Sequence, residues 1–383
     1  MQRPFEGIRV IDATHVLAGP FAAYQLAVLG ADVIKVEHPE ESDQSRETGS
    51  DRALNRKRMG TSFLTQGSNK RALSLDIKTP QGQEVFKKLI ATADVLVENY
   101  RPGALDDVGL GYDALAKINP RLIYASMSAF GSKGPRRHHT AYDYVIQATS
   151  GIMAMTGTTE VNPIKFGSPA IDYATGTTGA FALASALFQR ERTGKGQRID
   201  MAMLDVAMML MGSHITAHLR TGAHPKPVGI ANEYATNGCY PAKDGALLML
   251  GASNMRQYRR FWNAVGKPEM IKKDRDEREH AKENEIATIV EILKTKTADE
   301  WEEFFQSRHV PAARVRTMGE ALRDPHLDHR GIKYMHQESA HIPDTLSVPV
   351  AAFQFADGGP RVDTPPPMVG QHNEEILLSL GYD

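Results

Sequence analysis

Apolar positions in the first half of the chain follow two alternating rhythms. Short runs rich in Val and Ile, namely IRVIDA (8–13), DVIKVE (32–37), ALSLDI (72–77), DVLVENY (94–100) and RLIYASM (121–127), predict buried strands. Between them, FAAYQLAVLG (21–30) lies between Pro20 and Gly30 and predicts a helix. PQGQEVFKKLIATA (80–93) predicts another, and YDALAKI a shorter one. Strand, helix, strand alternation of this kind argues for an α/β fold, a parallel sheet with helices on both faces.

The remaining pattern is less regular. Residues 41–60, ESDQSRETGSDRALNRKRMG, have no clear period and read as a solvated loop, or as a loop whose Arg and Lys side chains touch an anionic ligand. SPAIDYATGTTGAFALASALF (168–188) holds one acid, Asp172, ahead of a helical pattern rich in small residues. A polar turn near 190 leads into IDMAMLDVAMMLMGSHITAHL (199–219), which reads as one long helix with its methionines in core packing. After residue 225 come a strand-like ALLMLGA and highly charged helices at 274–308, read as solvated faces. VPVAAFQF (348–355) returns to strand character, and a proline-rich turn and short helix follow.

Composition narrows the classes of function. The 383 residues suit two domains, and 41% apolar with 24% charged residues suits a globular protein with a sizeable core. A net charge of -1 leaves no basic field for nucleic acid or an anionic membrane. No apolar run approaches the ~20 residues needed to span a bilayer, and MQRPFEGIRV lacks the apolar stretch of a secretion signal. The single cysteine, Cys239, precludes an internal disulfide and cysteine-ligated metal clusters, and fits a cytoplasmic setting.

Familiar chemical motifs are mostly missing. Glu37 ends the second strand where an acid can read a ribose, but the first turn, THVLAGP, lacks the G-x-G-x-x-G of dinucleotide sites. GKGQ (194–197) has the wrong spacing for a P-loop, and neither H-E-x-x-H nor G-x-S-x-G occurs. Asp172 has two readings. It is a favoured residue type for capping the helix that follows. It is equally a carboxylate beside a helix N-terminus, able to attack an activated acyl group where backbone N–H groups could stabilise an oxyanion. Small residues at Ala174, Gly176 and Gly179 leave room there for a ligand or a second backbone.

Several separated segments resemble the class III CoA-transferase (CaiB/BaiF) family: DATHVLAGPFAAYQLAVLGADVIKVEHP, NKRALSLDIKTPQG, DVLVENYRPGALDDVGLGYDALAKINPRLIYASMSAFG, RTGKGQRIDMAMLD and GQHNEEILLSLGY. The pattern is similar to the formyl-CoA and acetyl-CoA:oxalate types. The resemblance implies a Rossmann-like large domain in two parts (1–198 and 329–383), a linker helix (199–224), a smaller α+β middle domain (225–328) and an intertwined homodimer. It implies CoA and acyl-CoA as substrates rather than permanent cofactors, no metal, and a small carboxylic acid as partner substrate. The family nucleophile falls on Asp172.

The same resemblance places CoA contacts at Val16, Leu17, Ala18, His38, Leu75, Lys78, Asn99, Tyr100 and Arg101, with Tyr142 and Asp143 nearby and a substrate loop at Gly251 and Ala252. Many relatives carry arginine at the positions of His38 and Asp107. Phosphate contacts then fall to Arg46, Arg71, Arg101 or the RRHH run at 136–139. The α-methylacyl-CoA racemases share the fold but place a histidine where this chain has Tyr142, a poor base at neutral pH, which favours transfer over racemisation. A non-catalytic CoA-binding protein is the remaining alternative.

Overall fold

The computed structural model describes residues 2–230, 234–338, 341–342 and 346–383. The chain divides into two units. The larger holds residues 1–153, 165–224 and 326–383, and the smaller holds 154–164 and 225–325.

In the larger unit the strand-like runs become β1 (Arg9–Ala13), β2 (Asp32–Glu37), β3 (Lys70–Ser74), β4 (Val95–Glu98) and β5 (Ile123–Ser128). Parallel pairing gives one six-stranded sheet ordered β3-β2-β1-β4-β5-β6, where β6 is Gln197–Ala202. The order reverses direction between β1 and β4. A crevice opens at such a point, outside the C-terminal strand ends.

The helices that matter for the site are α1 (Ala18–Val28), α2 (Thr61–Gly67), α3 (Pro80–Ala91), α4 (Asp143–Ser150) and α5 (Ala170–Thr193). One sheet face buries Val10, Val33, Val95 and Ile123 against α1 and α5. The other buries Ile11, Ile34, Leu73 and Leu96 against Phe86, Leu89 and Ile90 of α3 and Ile376 of the C-terminal segment. Strands buried on both faces explain the near-continuous apolar runs.

Glycines in α5 permit its close approach to α1. A Cβ at Gly176 would lie 2.7 Å from the Ala18 carbonyl oxygen, and one at Gly179 would lie 3.2 Å from Ala22. The small residues therefore admit a second backbone.

Three expectations need correction. Residues 199–219 are not one helix: 197–202 form β6, paired with β5, and the rest forms α6 (Met203–Leu210) and α7 (Gly212–Thr221). The alternation of Gln197, Arg198, Ile199 and Asp200 is a strand period hidden beside a methionine-rich run. Nor do the methionines all serve a core, because Met209 is 79% exposed in the single chain. The 41–60 stretch is not simply a solvated loop, since Asp43, Ser45 and Arg46 are buried.

The smaller unit is α+β. Antiparallel strands β7 (Cys239–Pro241), β8 (Leu247–Leu250) and β9 (Ala312–Arg314) pack with α8 (Met255–Ala264), α9 (Arg275–Leu293) and α10 (Ala298–Gln306). Tyr258, Phe261, Trp262, Trp301 and Phe305 fill its core. Residues 154–164 also fall in this unit, and the Gly229 N–H donates to the Gly157 carbonyl at 2.6 Å.

Candidate active site

Asp172 sits in the first turn of α5, on the wall of a cavity of about 740 Å³ within the larger unit. The C-terminal ends of β1, β4 and β5 supply most of the other walls. Val16, Leu17 and Ala18 come from the turn after β1, Asn99, Tyr100 and Arg101 from the turn after β4, and Tyr142 from the start of α4. Seven of the contacts expected from sequence thus converge with Asp172 in one crevice.

Asp172 is not the cap of its helix. The Asp143 carboxylate accepts the N–H groups of Ile171 (2.8 Å) and Asp172 (3.1 Å), so a side chain from α4 caps α5. Gln147, one turn along α4, donates its amide to Asp143 and accepts the Phe166 N–H at 2.8 Å. The Tyr173 N–H bonds to the Pro169 carbonyl. The N–H groups of this helix end are therefore spent, and they do not form the oxyanion site that the sequence suggested.

The Asp172 carboxylate itself accepts no hydrogen bond from the described residues. Burial, with the Asp143 charge behind it, pushes its pKa up to about 7. It can be ionised near neutrality yet remain basic, a combination suited to a nucleophile.

Unpaired N–H groups also belong to residues that line the cavity at the start of another helix. Those of Leu17 and Ala18, at the uncapped start of α1, have no partner among the described residues. Val16 just before them has φ +72°, unusual for a β-branched residue.

Other expected contacts lie elsewhere. Leu75 and Lys78 follow β3, and His38 follows β2, with its ring nitrogen accepting the Glu41 N–H at 3.0 Å. Gly251 and Ala252 lie in the smaller unit, where the Ala252 side chain is fully buried and its N–H bonds to the Thr236 carbonyl. Asp143 stands behind Asp172 and lines a second hollow of about 510 Å³, which Asp172, Thr61 and Ser62 also line.

The candidate phosphate ligands separate cleanly. Arg46 is fully buried and paired to Glu37 at 2.6 Å, which also removes Glu37 as a ribose reader. Arg71 is held by Asp32 and Glu375. Arg101, Arg137, His138 and His139 line the cavity. The acid at Asp107 pairs with Arg101 at 2.8 Å.

His15 and Gln44 are among the cavity residues that the sequence did not single out. His15 lies against Tyr100, and burial with the nearby Lys35 charge lowers its pKa. Gln44, from the apparent loop, meets the Tyr142 hydroxyl at 3.4 Å. His15 lies inside the first family-like segment but was not singled out there, and Gln44 lies in a stretch without a motif.

Residues 5–373 match the family model described as CoA-transferase family III. The chain belongs to CoA-transferase family III. Members of this family with which it aligns include the mouse succinyl-CoA:glutarate CoA-transferase, 33% identical over all of this chain and 87% of that one. The acetyl-CoA:oxalate CoA-transferase of Acetobacter aceti is 35% identical over 84% of this chain and 83% of that one. A solved CaiB/BaiF family protein from Brucella suis superposes with a TM-score of 0.85 at 31% identity, covering 99% of this chain and 100% of that one. As a family III member the chain is a CoA-transferase, and CoA thioesters are its substrates. No helix among the described residues is long and apolar enough to cross a membrane.

Proposed function

We propose that this enzyme moves CoA from an acyl-CoA donor to a free carboxylic acid with Asp172 as the covalent nucleophile. One observation carries the proposal: an Asp172 carboxylate without a hydrogen-bond partner, raised to a pKa of about 7, on the wall of a cavity at the sheet's switch point.

The Asp172 carboxylate attacks the thioester carbonyl and expels the CoA thiolate, leaving a mixed anhydride. The thiolate then attacks the aspartyl carbonyl. That breaks the anhydride, releases the donor acid as its carboxylate and leaves an aspartyl–CoA thioester. The acceptor carboxylate attacks this thioester, and the freed thiolate takes the new acyl group, restoring Asp172. Both intermediates are prone to hydrolysis, so the assembled site must keep water out.

The CoA chain is proposed to enter along Val16, Leu17, Ala18, Asn99 and Tyr100. The N–H groups of Leu17 and Ala18 are the donors available to a developing oxyanion. Arg101, Arg137, His138 and His139 are the proposed phosphate contacts, with His38, Leu75 and Lys78 toward the adenosine. The relatives' names make short dicarboxylic acids the first acceptors to test.

A homodimer is proposed as well. Phe181 (73% exposed), Phe188 (60%), Met209 (79%) and Leu219 (80%) form part of an apolar surface on α5, α6 and α7 that a single chain leaves in water. The family resemblance supplies the interlocked arrangement, and light scattering at micromolar concentration should give twice the 42.2 kDa chain mass.

The deciding experiment incubates the enzyme with succinyl-CoA and acetyl-CoA and reads intact mass. A CoA adduct on Asp172, removed by hydroxylamine and absent in Asp172→Ala, is expected. Full turnover by Asp172→Ala would end the proposal. Racemase chemistry would show instead as exchange of the α-proton of a 2-methylacyl-CoA with deuterated solvent.

A further inference from the structure

Four charged side chains of the larger unit lie out of solvent and take no part in the chemistry above. Asp12, Lys35, Asp43 and Lys70 are each at most 2% exposed. They form two ion pairs, Lys35–Asp43 at 2.9 Å and Lys70–Asp12 at 2.8 Å. Burial works against the charge on Asp43, yet the Lys35 ammonium and the Val16 and Ser45 N–H groups hold its carboxyl well below the usual range. Taking such charges out of water is costly, and apolar side chains of the same volume often give an equally stable protein. Stability alone is therefore a poor reason for their presence.

Their hydrogen bonds point to another reason. The turn after β1 has its backbone gripped by side chains, residue by residue. The Thr14 N–H and hydroxyl donate to Asp12, and the Thr14 carbonyl accepts from Lys35 at 2.8 Å. Asn99 accepts the His15 N–H and donates to the His15 carbonyl, both at 2.8 Å. Asp43 accepts the Val16 N–H at 2.9 Å, and Gln66 of α2 donates to the Val16 carbonyl at 2.8 Å. Six backbone groups in three residues are held, all of them by side chains.

The turn needs that grip because Val16 sits at φ +72°. A β-branched residue at positive φ persists only where its surroundings over-determine it. Leu17 and Ala18 follow directly, with their unpaired N–H groups in the wall they share with Asp172. Relaxing Val16 to negative φ would swing that wall.

We infer that Asp43 and Gln66 are positioning residues of the transfer reaction: they grip the two backbone groups of Val16 and thereby fix the Leu17–Ala18 wall against Asp172. Lys35 completes the device by holding Asp43 in place. The inference rests on the proposed role of Asp172.

A double-mutant cycle tests it. Gln66→Leu removes one grip without changing charge. It is made in the wild type and in a Val16→Gly background, where glycine adopts positive φ without strain. Small displacements at a reacting centre are expensive. Gln66→Leu should therefore lower kcat at least about tenfold with Val16 present. The same change should cost less than about threefold with glycine at 16, because nothing there is waiting to relax. Thermal melts establish that each variant folds, and Gln66→Met replaces Gln66→Leu if the latter does not. Equal losses in the two backgrounds, or no loss in either, would overturn the positioning role. Failure of the reading of Asp172 itself would appear separately, as turnover surviving in Asp172→Ala.

Discussion

Replacing Asp172 with asparagine should make the protein more stable above neutral pH while abolishing transfer. The magnitude follows from the site. Burial first, and the Asp143 charge second, raise the Asp172 pKa from an ordinary 3.8 to about 7. That spans roughly three decades of proton affinity at about 1.36 kcal/mol each, so the ceiling is ~4 kcal/mol. The side chain is only partly buried and water screens part of the cost, so about 1–2 kcal/mol is the working expectation.

The sign is fixed by linkage. Below about pH 3 the carboxyl is protonated in folded and unfolded chains alike, and the two proteins should be equally stable apart from local packing. As pH rises toward 7 the unfolded chain releases the proton and the folded chain resists. Wild type therefore loses stability that the asparagine variant keeps. The assay is the difference in melting temperature between variant and wild type, at fixed protein concentration, from pH 4.5 to 8.5. The difference should grow by a few degrees up to pH 7 and then level off. A flat difference would refute the claim that Asp172 is a carboxylate held out of its preferred state. So would one that falls with pH.

Three further outcomes follow from the same geometry. Asp143→Asn keeps an oxygen for the Ile171 and Asp172 N–H groups but removes a negative charge; the acidic limb of kcat/KM, set by Asp172, should move to lower pH with the fold intact. Gly176→Ala places a methyl 2.7 Å from the Ala18 carbonyl oxygen, and about 1–3 kcal/mol should be lost in urea unfolding without a change in the slope. Arg101→Ala should raise KM for acyl-CoA about tenfold at low salt, less at high salt, with no measurable change in melting temperature, because an exposed pair with Asp107 contributes little to stability.

Strands buried on both faces announce themselves in sequence because nearly every side chain must be apolar, as in Val33, Ile34 and Val36 of β2. β6 did not, since Arg198 and Asp200 face outward on an edge strand and its apolar residues run into the methionines of α6. Part of the crevice, such as Val16, Asn99 and Tyr100, was approached only through family motifs, because loops at strand ends carry little periodicity of their own. The grip on Val16 was legible through neither route. Asp43 and Gln66 reach it from 27 and 50 residues away, the first out of a segment that reads as a polar loop and the second out of α2, for which the sequence pattern offered no reading.

The same limit explains why Asp172 looked like a cap. Local sequence sees an aspartate at a helix start and supplies the commonest use for one. Only the tertiary structure brings Asp143 from α4 to do the capping. Once it does, two carboxylates share one helix end: one accepts the backbone N–H groups, and the other is left without a donor of its own. A cap is stabilised by the hydrogen bonds it accepts, which lower its basicity. A nucleophile needs its lone pairs unspent. Dividing the two tasks between Asp143 and Asp172 lets a single helix terminus be well satisfied and still present a reactive carboxylate to the cavity.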